Sequence, residues 1–242
     1  MNRSKRKGRL DLSWIEDAKR KAVLKALDPI KNGWIIAIGS GSTMALAVAE
    51  LARRTKARRL EVSIVPTSHQ IENLATSHGL RVISLTEAVT IDYALDGADQ
   101  VQESTLDMIK GGGGAMLREK VVDSAARTLA IAVDERKLVK HLGVKQPVPV
   151  EVLPIAYRSV QAQIAKMGGR SKLREGLGKI GPVVTDNGNF ILDADFGKIT
   201  KPPVLERRLR LIPGLLETGL FLGMADGVYV GRRGEVQFLE PR

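Results

Sequence analysis

The spacing of apolar residues switches period repeatedly along the chain. Ile15, Ala18, Ala22 and Leu27 fall near one stripe at helical spacing, so residues 13–28 predict an amphipathic helix opening at Ser13. WIIAI at 34–38 is a continuous apolar run of strand length, and STMALAVAELARR at 42–54 returns to the helical period. The same alternation predicts strands at 61–65, 81–85, 91–95 and 128–133, with helices at 68–77 and 114–126. Strands alternating with helices in this way predict an α/β domain built on a parallel sheet with helices on both faces.

The pattern changes at KQPVPVEVLP, where three prolines fall between 147 and 154. Helices are expected at 155–167 and 203–211. VVTDNGNFILDADF carries a hairpin signal, with Asn187-Gly188 suited to a type I′ turn. LLETGLF, GVYVG and EVQFLE read as closing strands. The expected organisation is therefore a first domain of residues 1–145 plus 215–242, and a smaller α+β unit at 146–214. No internal repeat or low-complexity linker interrupts it.

Composition narrows the classes. No apolar run reaches the length of a bilayer span, and the basic start MNRSKRKGR is not followed by the apolar segment of a secretory signal. The chain has no cysteine, which removes disulfides, thiolate metal sites and cysteine nucleophiles, and fits a cytoplasmic protein. Its net charge is +11. A nucleic-acid partner would explain that excess, but basic residues are mostly interleaved with acids, and aromatic residues are only 4%, leaving few platforms for stacking bases. A solvated charged surface is the favoured explanation, with residues 1–10 as a mobile basic arm. His69, His78 and His141 lack metal-ligand spacing.

In a parallel sheet, ligands bind beyond the carboxyl ends of the strands, so the segments following each strand hold the candidate chemistry. Gly39-Ser40-Gly41-Ser42-Thr43 follows WIIAI and opens a helix, which suits a phosphate; it lacks the lysine of a Walker loop, and Ser42 as a plain helix cap is the competing explanation. Pro66-Thr67-Ser68 fits capping better than binding. Asp96-Gly97-Ala98-Asp99 ends a strand with two carboxylates, able to do acid/base work or to cap a turn. Lys110 precedes Gly111, Gly112, Gly113 and Gly114. Bare glycines expose backbone N–H groups, and a lysine beside them would steady a developing oxyanion; a flexible loop is the alternative. Glu119 lies away from Leu117, Val121 and Ala125 on the helical wheel, so by position alone it is a solvated glutamate. Lys137, three residues after Asp134, is either a surface turn residue or a phosphate cation.

Taken in order, GSGST, PTS, DGAD, KGGGGAMLREK, VDERK, PVEV, TDNGN and PGLLETGLF resemble the ribose-5-phosphate isomerase type A family over nearly the whole chain from about Ser13. DGAD followed by KGGGG and REK is the specific part. The resemblance implies a Rossmann-like domain with a smaller ferredoxin-like α+β lid, and a homodimer or homotetramer. It implies interconversion of ribose 5-phosphate and ribulose 5-phosphate, in the non-oxidative pentose phosphate pathway, without metal or organic cofactor. By motif, Glu119 is the base moving a proton between C1 and C2, and Lys110 with the glycine loop steadies the enediolate. Asp96 and Asp99 handle ring opening and the sugar hydroxyls. Ser42, Thr43, Lys19 and Lys137 hold the phosphate, with Ser40 and Gly41 beside them. Two positions depart from the family pattern: Gln100 stands where glutamate is usual, and Ser40 where threonine is frequent. The rival expectations are an aminosugar-phosphate isomerase/deaminase, whose catalytic histidine motif is missing, and a sugar-phosphate-sensing domain, which would not need both Glu119 and Lys110.

Overall fold

The computed structural model describes residues 13–88, 90–178 and 180–241. The basic arm expected at residues 1–10 lies outside them. The main sheet has seven strands in the order β15-β14-β7-β4-β1-β2-β3. They are β1 (Ile35–Ile38), β2 (Ser63–Pro66), β3 (Arg81–Val82), β4 (Tyr93–Asp96), β7 (Leu129–Asp134), β14 (Gly227–Gly231) and β15 (Val236–Leu239). All pairings are parallel except that of β15 with β14. Every residue of β4 and β7 is buried, as strands covered on both faces must be. Helices α1 (Ser13–Ala26), α2 (Ser42–Arg58) and α3 (His69–Ser77) share one apolar cluster with β1, β2 and β4. A second cluster, around Ile131, Met108 and Phe221, fills the opposite face.

A second sheet forms the smaller unit. Strands β9 (Val148–Val152), β10 (Arg170–Leu173), β11 (Phe190–Asp195) and β12 (Leu215–Thr218) pair antiparallel in the order β10-β11-β9-β12. With α5 (Tyr157–Lys166) and α6 (Pro202–Arg210) between them they make a β-α-β-β-α-β unit of ferredoxin-like order. Here LLETGLF departs from expectation. Its first half is β12, the edge strand completing this sheet, so the unit extends past residue 214. Its second half, β13 (Leu220–Phe221), joins a small sheet with β5 (Gln100–Gln102), β6 (Met108–Ile109) and β8 (Leu138–Val139). We take the smaller unit as residues 148–218.

The Asn187-Gly188 turn also differs. Gly188 has φ 78°, but Asn187 is not among the residues of positive φ, which a type I′ turn requires. Val184 bridges Phe190 across it, and Thr185 N donates to Asn189 O at 2.9 Å. The reason is Glu151, a fully buried carboxylate on β9. Its Oε1 accepts from Thr185 Oγ1 (2.8 Å), Asn187 Nδ2 (3.0 Å) and Asn189 Nδ2 (2.8 Å), gathering the loop into a knot in place of a ladder.

Candidate active site

Strand order reverses between β1 and β4: the chain runs outward through β2 and β3 on one side and through β7 and β14 on the other. At such a switch point the segments leaving two neighbouring strands diverge and open a crevice. The segment after β1 is Gly39–Thr43, and that after β4 begins at Gly97. A cavity of about 160 Å³ lies there, lined by Lys19, Ser40 to Thr43, Gly97 to Asp99, Lys110 to Gly113, Glu119 and Lys137.

One end of this cavity is built for an anion. The N-terminus of α2 has Gly41 as its cap, at φ 97° and with no side-chain hydrogen bond. Ser42 is therefore the first helical residue and not the cap, and the orphan amides at the helix start are free to meet a ligand. Ser40 Oγ lies 2.9 Å from Thr67 Oγ1 and donates to Ser68 Oγ at 2.7 Å, while Gly41 N donates to Gln70 Oε1 at 2.9 Å. The Thr67-Ser68 corner thus braces the loop from behind, and Ser68 is also the cap of α3. Two lysines also line the cavity. Lys19 comes from α1, its Nζ 2.9 Å from Glu16. Lys137 comes from the short 3-10 turn after β7, which Asp134 shapes by accepting from Arg136 N (3.2 Å) and Nε (2.6 Å).

The other end is a buried charge cluster. Lys110, 3% exposed, places Nζ 2.7 Å from Asp96 Oδ2, 3.1 Å from Glu119 Oε2 and 2.7 Å from the Gly97 carbonyl. Ser40 N donates to Glu119 Oε1 at 3.2 Å, tying the carboxylate to the loop after β1. Asp96 is fully buried and stands behind Lys110, outside the cavity lining, whereas Asp99 lines it and accepts from Gly112 N at 2.7 Å. Gly39 has to be glycine: a Cβ there would lie 1.7 Å from Asp96 Oδ1. Gly111 takes φ 99° to turn the chain off β6. Gly114 is not in the lining; its N–H donates to Gly111 O and closes the turn.

Glu119 overturns its expected position. Helix α4 (Met116–Ser124) buries Met116, Glu119, Lys120, Val122 and Asp123, and leaves Val121 48% exposed. Its charged face packs inward because that face closes over the site and the smaller unit. Burial, and then the charge of Asp96, raise the Glu119 pKa to about 7 against the opposing pull of Lys110. Burial alone would lower the pKa of Lys110; Asp96, Glu119 and Asp123 outweigh it, and the ammonium ends above its ordinary value.

Sequence reasoning did not single out Gln70 or Asp123. Asp123 could have been found as an acid one turn beyond Glu119 on the same helix face. Gln100 also gains a role: its amide donates to Val144 O at 2.8 Å and accepts from Gly143 N at 2.9 Å. An ionised glutamate could accept there but not donate. Among the described residues no group of three or more His, Asp or Glu is placed to hold a metal ion, and no helix is long and apolar enough to cross a membrane.

The profile of the family ribose 5-phosphate isomerase A (phosphoriboisomerase A) matches residues 63–235. Ribose-5-phosphate isomerase A of Methanothermobacter thermautotrophicus is 48% identical over 213 residues, 88% of this chain and 93% of that protein. The fold is similar to the ribose 5-phosphate isomerase A structure from Methanocaldococcus jannaschii, with a TM-score of 0.90 and 44% identity over 93% of this chain and 99% of that one. It is equally similar to a D-ribose-5-phosphate isomerase in complex with phospho-erythronic acid, with a TM-score of 0.91 and 41% identity at the same coverage. These relatives favour neither the deaminase nor the sensing alternative.

Proposed function

The chain belongs to the ribose 5-phosphate isomerase A family, and we propose that Glu119 is the base through which it interconverts ribose 5-phosphate and ribulose 5-phosphate. The observation carrying this assignment is a carboxylate 4% exposed, lining the cavity, with one oxygen on Lys110 and the other on the Ser40 amide. The substrate phosphate sits on the amides of Ser42 and Thr43 between Lys19 and Lys137. A relative that holds phospho-erythronic acid, itself a phosphorylated sugar acid, supports an anion at one end of this cavity.

In the open-chain aldose, Glu119 takes the proton from C2. The C2–H electron pair becomes the C1=C2 bond, and the aldehyde π pair moves onto O1. Lys110 and the N–H groups of Gly111 to Gly113 steady that oxyanion. Proton transfer from O2 to O1 reverses the polarity of the enediolate, and Glu119 returns its proton to C1, leaving a ketone at C2. One carboxyl serves both carbons because they are adjacent. Asp99 meets the sugar hydroxyls from the cavity wall, and Asp96, behind it, fixes the Lys110 ammonium. Anchoring the remote phosphate holds the reacting carbons in place. A base near neutral pKa suits this work, being both substantially ionised and more basic than an ordinary carboxylate.

No step needs a metal or organic cofactor, so turnover should persist in EDTA. The deciding measurement, run in EDTA, is kcat of Glu119→Gln, which keeps the shape but not the proton acceptor. It should fall by about 10² or more. Wild-type turnover in Glu119→Gln would remove this base, and activity restored only by a divalent ion would remove the cofactor-free scheme. The cysteine-free composition supports a cytoplasmic setting. Exposed Ile155, Leu211 and Leu216 on the smaller unit support self-association as a dimer or tetramer. The interleaved charge supports a solvated surface over a nucleic-acid partner.

A further inference from the structure

Helix α4 turns three charged side chains inward, and the reaction scheme uses one of them. Asp123 lies one turn past Glu119 on the same buried face and is 3% exposed. Neither of its oxygens meets a hydrogen-bond donor, whereas Asp96 Oδ2 faces the Lys110 ammonium at 2.7 Å. Among the described residues no cation forms an ion pair with Asp123; Lys110 is already divided between Asp96, Glu119 and the Gly97 carbonyl. The groups acting on Asp123 are Asp96 from β4, Lys110 from the loop after β6, and Glu119 from its own helix.

An ionised carboxylate is an acceptor only, so buried without a donor it carries its full desolvation cost. Two facing carboxyl groups escape that cost when one keeps its proton and donates it to the other. Burial first, then the charge of Asp96, push Asp123 well above the usual carboxylate range, and a hydrogen bond from its protonated form to Asp96 adds to the shift.

We propose that Asp123 is a positioning residue that keeps its proton at working pH and donates it to Asp96, so that Asp96 stays fixed on Lys110 and Lys110 stays available to the substrate. An ionised Asp123 would add a second uncompensated charge beside Glu119 and drive a proton onto the base. This role rests on Glu119 being the base, so Glu119→Gln is measured alongside and reports on that assignment separately.

Asn at position 123 is isosteric, permanently neutral and still a donor; Ala removes the donor. Asp123→Asn should hold kcat within about threefold and leave the acid limb of the pH profile in place. Asp123→Ala should lose about tenfold or more in kcat, the scale of one lost hydrogen bond to a charged group, with KM little changed because the phosphate loop is separate. A residue with a merely structural role would show neither the rescue by Asn nor the split between kcat and KM. A second measurement does not depend on the Ala variant folding. In Glu119→Gln protein held above the titration range of Glu119, infrared difference spectra should contain a protonated-carboxyl band that vanishes in the Glu119→Gln/Asp123→Asn double variant. The proposal is overturned if that band is missing, if Asn is as damaging as Ala, if folded Asp123→Ala turns over at the wild-type rate, or if Asp123→Asn moves the acid limb downward by about one unit or more, the mark of an ionised neighbour removed.

Discussion

Glu119 and Lys120 are neighbours on one helix, and each anchors a buried charge cluster, yet the two clusters are built on opposite terms. Around Lys120 the donors and acceptors match. Its Nζ donates to Glu217 Oε1 and to the Thr218 carbonyl, both at 2.8 Å, and reaches Glu206 Oε1 at 3.4 Å. Thr218 N donates to Glu217 Oε1, Thr218 Oγ1 donates to Glu206 Oε2, and Arg210 lies 3.9 Å and 3.8 Å from the two glutamates. Around Lys110 a single ammonium is shared between Asp96 and Glu119, and the buried Asp123 has no donor on either oxygen. Both lysines lie over the Phe221 ring, with Lys110 Nζ 5.2 Å and Lys120 Nζ 4.8 Å from its centroid. The satisfied cluster ties α4 to α6 and β12, and so holds the smaller unit on the larger. The unsatisfied one stores the electrostatic imbalance that makes a glutamate basic. A buried polar network contributes rigidity when complete, and reactivity when it lacks a partner.

That contrast can be broken by exchanging the losses. Glu119→Gln should lose about 10² or more in kcat while its Tm stays level or rises, since an undersatisfied buried acid is removed. Lys120→Met should do the reverse. It removes the buried cation of Glu206 and Glu217 and leaves them the more exposed Arg210, at a cost of up to about 3–5 kcal/mol, and leaves kcat of the folded protein within about threefold. Turnover lost in Lys120→Met with Tm intact would merge the two clusters into one functional unit. The next effect in size is the pH dependence. As the proposed base, Glu119 would have to be unprotonated to act, and its raised pKa of about 7 puts the expected loss on the acid side. kcat/KM should be flat above that value and fall about tenfold per pH unit below it. Lys120→Met should leave the inflection where it is, and an inflection at an ordinary carboxylate value in wild type would deny the imbalance. The smallest effect is at the phosphate end. Thr43→Val should raise KM for ribose 5-phosphate by about tenfold, the scale of one hydrogen bond to a charged group, with little change for free ribose. An equal loss on both sugars would move the phosphate elsewhere.

Much of this arrangement was legible before any coordinates. Period switching at WIIAI and STMALAVAELARR located β1 and α2, and it put Ser40 to Thr43 after a strand end. The blocks DGAD and KGGGGAMLREK identified the family because they occur together and in order. Other features resist a linear reading. Ser42 reads as a cap until the backbone turns at Gly41. Gln100 reads as a lost acid until it meets the loop at Gly143 and Val144.

The chain alone thus determined the α/β alternation, the smaller unit near its three prolines and the family, since local periodicity and turn chemistry are properties of neighbouring residues. Tertiary structure decided which way α4 faces, that β12 belongs to the smaller sheet, and that Asp123 is buried with no donor on either oxygen. A helical wheel places apolar residues inward by default. On α4 that default fails because Glu119 finds its counter-charge in Lys110, just after β6, and Lys120 finds its own in Glu206 on α6 and Glu217 on β12, segments that only folding brings together.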